Sequence, residues 1–229
     1  MTFAEKVLSF YRSVDFSESL PDGIRIMNPF REKSGASELA EAFYMKYFND
    51  TNPRRILLGI NPGRFGAGIT GIPFTDTIRL NDNCGIPFNG FRSFEPSSVF
   101  IYNMIEACGG VSSFYSRFFI SAICPLGFIK QNEKGKFVNY NYYDSRELTD
   151  VVYDFIIETL KQQLDFRIDR EVGYCLGTGK NDAFLRKINE KHGFFKTIIT
   201  LEHPRYIMQY KAKKKEEYVE KYSSSLRGA

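Results

Sequence analysis

The stretch Arg55-Ile56-Leu57-Leu58-Gly59-Ile60-Asn61-Pro62-Gly63 decides the fold. Its apolar run, closed by a turn signal, reads as a buried strand over Arg55–Ile60. Pro62 fixes the turn, and Gly63 lets the backbone approach a ligand closely. Runs of the same kind recur at Phe118–Cys124, Val172–Leu176 and Thr197–Leu201. Helical spacing alternates with them. Ser37–Phe48 puts Leu39, Ala40, Phe43, Tyr44 and Tyr47 on one face, and Pro96–Ala107, Glu147–Leu164 and Asp182–Lys191 repeat the pattern. Gly193 stands where the last of these should stop. Strands alternating with helices of this length predict right-handed crossovers. The expected fold is an α/β three-layer α/β/α sandwich with a central, mainly parallel four-stranded sheet.

At 229 residues the chain suits one domain, 1–229, and its 43% hydrophobic and 25% charged content is that of a globular protein. No apolar run reaches the length of a membrane span, and Met1–Phe10 lacks a basic leader, so a cytoplasmic monomer away from any membrane is expected. Cys84, Cys108, Cys124 and Cys175 form no Cys-x-x-Cys pair and read as reduced, structural residues; neither a metal nor a cofactor is called for. From His203 onward seven Lys/Arg stand against three Glu, so this tail carries the whole net charge of +4. Such a patch suits a phosphate backbone, although a solvated Lys/Glu helix face has the same composition.

From Asn61 to Pro96 the chain is rich in Gly, Pro, Asn and Asp and shows no clear helix. A long irregular stretch at the carboxyl end of a strand is where open α/β sheets bind ligands. An Asn there orients a water or bonds a ligand; by itself Asn-Pro-Gly is also an ordinary turn. Of the two histidines, His192 sits at a helix end, where the dipole favours it. His203 follows the last strand in Leu201-Glu202-His203-Pro204-Arg205, on the same sheet edge as Asn61, and is a candidate acid or electrophile.

Gly59-Ile60-Asn61-Pro62-Gly63, Phe65-Gly66 and Thr70-Gly71-Ile72-Pro73-Phe74 together resemble the first motif of the single-strand-selective monofunctional uracil-DNA glycosylases, without a gap. Phe118–Leu126, ending in Cys124-Pro125-Leu126, is similar to the strand and turn that carry that family's base reader. His203-Pro204, then Arg205, is similar to its second motif. Residues 1–52, expected to be a helical N-terminal part, carry none of its motifs.

The resemblance implies a DNA glycosylase of base excision repair, acting on DNA with a damaged base that is flipped into a pocket. Phe74 would stack on that base, with Ile60, Gly63, Ser121 and Ala122 around it. Asn61 would hold the attacking water, and His203 would donate to the departing base. Neither motif offers a lysine nucleophile, so hydrolysis without strand cleavage is expected. Gly-Ile-Pro-Phe occurs again at Gly85–Phe88, but spacing from Asn61 favours Phe74, leaving Phe88 in reserve.

Two departures matter. Ala122 stands where the family has the Asn that reads uracil, and a methyl cannot read an edge; a relaxed choice admitting deaminated purines follows. After His203-Pro204 the family's Ser-Pro is missing, and Arg205, Tyr206 and Met208 are left to form the wedge beneath the flipped base. Gly177-Thr178-Gly179-Lys180-Asn181 lacks Walker spacing and reads as a strand-to-helix turn, either a plain one or one whose Lys180 meets a DNA phosphate. Lys211 joins the DNA contacts from the basic tail. A catalytically silent nucleic-acid binder on this fold is the rival from another class, and it would need neither Asn61 nor His203.

Overall fold

A computed structural model describes residues 1–31, 35–90 and 92–227. In chain order the elements are α1 (Phe3–Ser13), β1 (Ile24–Met27), α2 (Ala36–Tyr47), β2 (Arg54–Gly59), α3 (Ala67–Thr70), α4 (Thr77–Asp82), α5 (Pro96–Ala107), α6 (Gly110–Tyr115) and β3 (Phe118–Ala122). There follow β4 (Gly127–Gln131), β5 (Phe137–Tyr140), α7 (Arg146–Leu164), β6 (Ile168–Leu176), α8 (Lys180–His192), β7 (Thr197–Leu201), α9 (Pro204–Tyr210) and α10 (Lys215–Arg227).

The central sheet has the order β3-β2-β6-β7 and every pairing in it is parallel. This is the expected α/β/α sandwich. Parallel strands covered by helices are buried on both faces, which is why β2 and β3 read as unbroken apolar runs. The chain leaves β2 for β3 on one side and leaves β6 for β7 on the other, so a crevice opens between the carboxyl ends of β2 and β6.

Three features differ from the sequence reading. A second, antiparallel sheet of order β1-β4-β5 stands beside the first. Its β4–β5 hairpin turns through Asn132–Lys136, with Gly135 in the left-handed region, and its strands are too short and too exposed to announce themselves by periodicity. The N-terminal part is helical as expected but also contributes β1 to this sheet. The stretch after Asn61, expected to lack helices, forms the one-turn α3 and the short α4, which Asp76 caps by accepting from Arg79 N–H at 2.8 Å.

Residues 1–52 are fastened to the start of β2 by Arg54. Its guanidinium is fully buried between the rings of Phe3 and Phe48, 4.7 Å from each centroid. It also bonds Asp50 at 2.8 Å and the Tyr115 carbonyl at 2.7 Å. A planar, always-charged group with five donors suits such an aromatic sandwich. The four cysteines are free and buried, and burial pushes the Cys124 and Cys175 thiols up to about 12, consistent with packing roles. Among the described residues no helix is long and apolar enough to cross a membrane.

Candidate active site

Asn61 follows the end of β2, and the end of β5 with the residues just after it holds its amide from both sides. Its Nδ2 donates to the Tyr140 carbonyl at 3.3 Å and more weakly to that of Pro62, while its Oδ1 accepts from Tyr142 N–H at 3.1 Å. Both carbonyl partners and the amide donor are backbone groups, so the side chain is fixed in one rotamer. One lone pair of Oδ1 remains for a water.

Phe74 is held against the same strand end. Among the described residues it is one of two non-glycine residues with positive φ, at +52°, a conformation costing ~1–3 kcal/mol that persists only where its surroundings impose it. The fully buried Thr70 does so: its hydroxyl donates to the Thr75 carbonyl at 2.6 Å and accepts from Ile72 N–H at 3.1 Å. The ring then lies directly over Gly59, where a Cβ would stand 2.9 Å from Phe74 Cε2. Glycine at the strand end is therefore required for this ring position.

His203 caps α9 at the end of β7. Its Nδ1 accepts from the Arg205 backbone N–H at 3.1 Å, so the neutral ring carries its proton on Nε2 and presents it as a donor. Desolvation by the surrounding walls, helped by the Arg205 charge, pushes its pKa down to about 4. The imidazole is neutral at physiological pH, which suits a hydrogen-bond donor and not a proton acceptor.

These three side chains line one cavity of about 350 Å³, within the range of small-ligand pockets. Ile60, Gly63, Ser121, Ala122, Arg205 and Tyr206 line it too. The remaining sequence-chosen residues lie elsewhere. Lys180, at the start of α8, is outside the cavity with its ammonium 6.0 Å from the ring of the lining Tyr143. Met208 packs against the core, because the α9 turn that exposes Tyr206 and Tyr210 turns Met208 inward; Gln209 and Tyr210 line the mouth in its stead. Lys211 closes α9 as its C-terminal cap, away from the cavity. Phe88 packs against the core and does not reach the cavity, so Phe74 is the ring at the site.

Ser121 lines the wall, but its hydroxyl is bonded to Gln163 of α7, whose own Nε2 donates to the Ala122 carbonyl at 3.3 Å. Both groups are thus committed inside the fold. Amides that sequence reading did not find stand opposite. Asn139, on β5, accepts from Arg64 N–H at 3.1 Å through Oδ1, and its Nδ2 faces Gly63. Asn141, Tyr143 and Glu95 also line the cavity. No spacing rule ties these residues to Asn61; only the hairpin and the α4–α5 connection bring them there.

The sequence signature of the uracil DNA glycosylase superfamily matches residues 45–227, and the chain belongs to this superfamily of DNA N-glycosylases. More narrowly, the chain is similar to the protein of the crystal structure of wild-type Pedobacter heparinus SMUG2, at 53% identity and a TM-score of 0.97, covering 100% of this chain and 98% of that one. That likeness places it with the single-strand-selective monofunctional branch. Curated proteins give no significant match.

Proposed function

We propose that this chain is a monofunctional glycosylase of base excision repair, which hydrolyses the bond between sugar and base at uracil and other deaminated bases in DNA. The observation that carries the reading is the convergence of Asn61, Phe74 and His203 on one cavity at the carboxyl edge of the sheet. A base inside a duplex is out of reach, so the nucleotide must leave the stack to enter.

Phe74 stacks on the extruded base, a contact worth ~1–3 kcal/mol. Asn61, fixed by Tyr140 and Tyr142, orients a water beneath the sugar carbon. The carbon–nitrogen bond breaks towards an oxocarbenium-like sugar and a base anion. The Nε2–H of His203 donates to the base oxygen as its charge grows, as a neutral donor. Outside, the exposed rings of Tyr206 and Tyr210, 5.6 Å apart, together with Arg205, fill the gap left in the strand and meet its phosphates.

The edge of the base is read differently from the resembling family. With a methyl at Ala122 and the Ser121 hydroxyl taken by Gln163, the amide of Asn139 supplies the side-chain contact. This leaves room for hypoxanthine and xanthine beside uracil. The test is chromatographic release of free base from oligonucleotides carrying uracil, hypoxanthine or xanthine. Free uracil should appear with the strand intact until alkali is added; strand cleavage without alkali, or no base release, contradicts the reading.

A further inference from the structure

The chemistry above leaves one proton without a destination. The attacking water must lose it, yet an amide such as Asn61 takes no proton and the His203 ring already carries one on Nε2. Among the described residues lining the cavity, one is a carboxylate: Glu95, at the amino-terminal end of α5. We propose that Glu95 is the proton acceptor for the attacking water, an inference that rests on the glycosylase reading.

The placement of Glu95 is built, not incidental. Its backbone N–H donates to Oδ2 of the fully buried Asp76 at 2.8 Å, and Ser98 Oγ donates to its Oε2 at 3.3 Å. Ser98 in turn accepts from Asp76 N–H at 3.2 Å, so the α4 cap and the first turn of α5 fix the carboxyl group together. The group lies on the loop that follows Asn61. A Cβ at Gly66 would collide with Oε2, and one at Gly63 would stand 3.4 Å from Oε1. Gly66 therefore leaves the space that this carboxylate occupies, and Gly63, two residues after Asn61, lies within contact range of it. Sequence reading gave the glycines to the base and the turn, and Glu95 no role.

Among the described residues, the charges set around Glu95 come from three segments. From α4 come Asp76 and Arg79, the latter 3.6 Å from the Asp76 carboxylate. From α9 comes Arg205, and on the loop Arg64 follows Gly63. Burial is the main effect on Glu95 and Asp76 adds to it, against the Ser98 hydrogen bond and Arg205, and the result is a pKa raised to about 7. A carboxylate poised there is matched to proton abstraction near neutral pH. In the step, the water oxygen bonds the sugar carbon as the carbon–nitrogen bond breaks, with its electron pair leaving on the base. The water proton passes to the Glu95 carboxylate, and solvent later carries it to the base anion.

The experiment is a single-turnover rate on a uracil oligonucleotide between pH 5.5 and 8.5, for the wild type, Glu95→Gln and Glu95→Asp. Binding is measured in parallel on an oligonucleotide whose target sugar carries a 2′-fluorine, which disfavours the oxocarbenium-like sugar and blocks cleavage. The wild-type rate should rise with pH through a midpoint near 7. Glu95→Gln keeps the Ser98 bond and should bind the analogue and melt as the wild type does, yet react about 10²-fold more slowly or worse, with a flat profile. Glu95→Asp should recover part of the rate together with the rising limb. A Glu95→Gln enzyme with the wild-type rate, or with a slower rate that keeps the rising limb, overturns the proposal. A wild-type rate that falls through the same midpoint assigns Glu95 as a proton donor and overturns it equally. A wild type that releases no base at any pH defeats the glycosylase reading itself, an outcome distinct from either.

Discussion

The ring of Phe74 lies 5.6 Å from that of His203, centroid to centroid, with the planes tilted by 53°. The two come from distant parts of the chain, one from the strained connection between α3 and α4 and one from the cap of α9. Their rings form adjacent walls of one cavity, a face for stacking and an edge for donation. Binding and bond breaking are therefore separable by mutation. Phe74→Ala should weaken binding of uracil-bearing DNA by ~1–3 kcal/mol. His203→Ala should bind nearly as well but lose about 10²–10³ in single-turnover rate, the usual loss for one donor to a developing anion. Because the His203 pKa sits at about 4, its protonation should leave no falling limb in the rate between pH 5.5 and 8.5. Equal effects of both variants on binding alone would merge the two roles.

Base choice turns on Ala122 and Asn139. Ala122→Asn restores an amide at the wall and should shift the ratio of rates towards uracil over hypoxanthine, since an edge left unpaired by the wrong base costs binding. Asn139→Ala removes the amide over Gly63 and should slow uracil release more than it slows purine release. Rates for the three bases, measured on one oligonucleotide sequence, decide this; unchanged ratios in both variants would mean that backbone groups alone read the base.

The basic tail makes a weaker electrostatic claim than composition suggests. Lys214 is paired with Glu217 at 3.3 Å and Lys215 with Glu216 at 3.2 Å, and α10 buries Val219, Tyr222 and Leu226 against the fold. Replacing Lys211, Lys213, Lys214 and Lys215 together by Ala should still flatten the plot of log K against log salt, and by fewer than four phosphate equivalents. An unchanged slope would make this run a solvated helix face.

Arg54 joins the N-terminal part to the sheet. Its replacement by Met leaves Asp50 unpaired and the Tyr115 carbonyl without its donor, and should cost about 3 kcal/mol in denaturant unfolding. The cavity lies at the other end of β2, so the folded variant should excise base at the wild-type rate. A change in rate with no loss of stability would contradict this division.

The central sheet was legible because parallel strands buried on both faces are nearly continuous apolar runs: Thr197–Leu201 was placed to the residue and Phe118 began its strand as expected. Asn61 and His203 stood out because each follows a strand end, where chemistry gathers on this fold, whereas Phe74, between α3 and α4, was legible only through the resemblance of Thr70–Phe74 to the family's first motif. The hairpin did not stand out. Phe137–Tyr140 is short and half-exposed, so its period of two is lost among turn residues, and with it went Asn139 and the backbone groups that fix Asn61. Glu95 was hidden for another reason. Next to Pro96 it reads as the start of a helix, and only the packing of α4 on α5 shows that its carboxyl group faces Gly63 and Gly66. Met208 and Tyr210 cannot be told apart as wedge candidates without knowing how α9 turns.

The most direct measurement is the single-turnover rate of uracil release by Asn61→Ala and Asn61→Asp, set beside their affinity for the 2′-fluoro analogue. Asn61 acts on a water and hardly on the duplex, so the Ala variant should bind as the wild type does and release no measurable uracil. The Asp variant should keep part of the rate, because its carboxylate still accepts from Tyr142 N–H and also orients water, although the donor to the Tyr140 carbonyl is lost. Wild-type turnover by Asn61→Ala would remove this residue, and the site built around it, from the reaction.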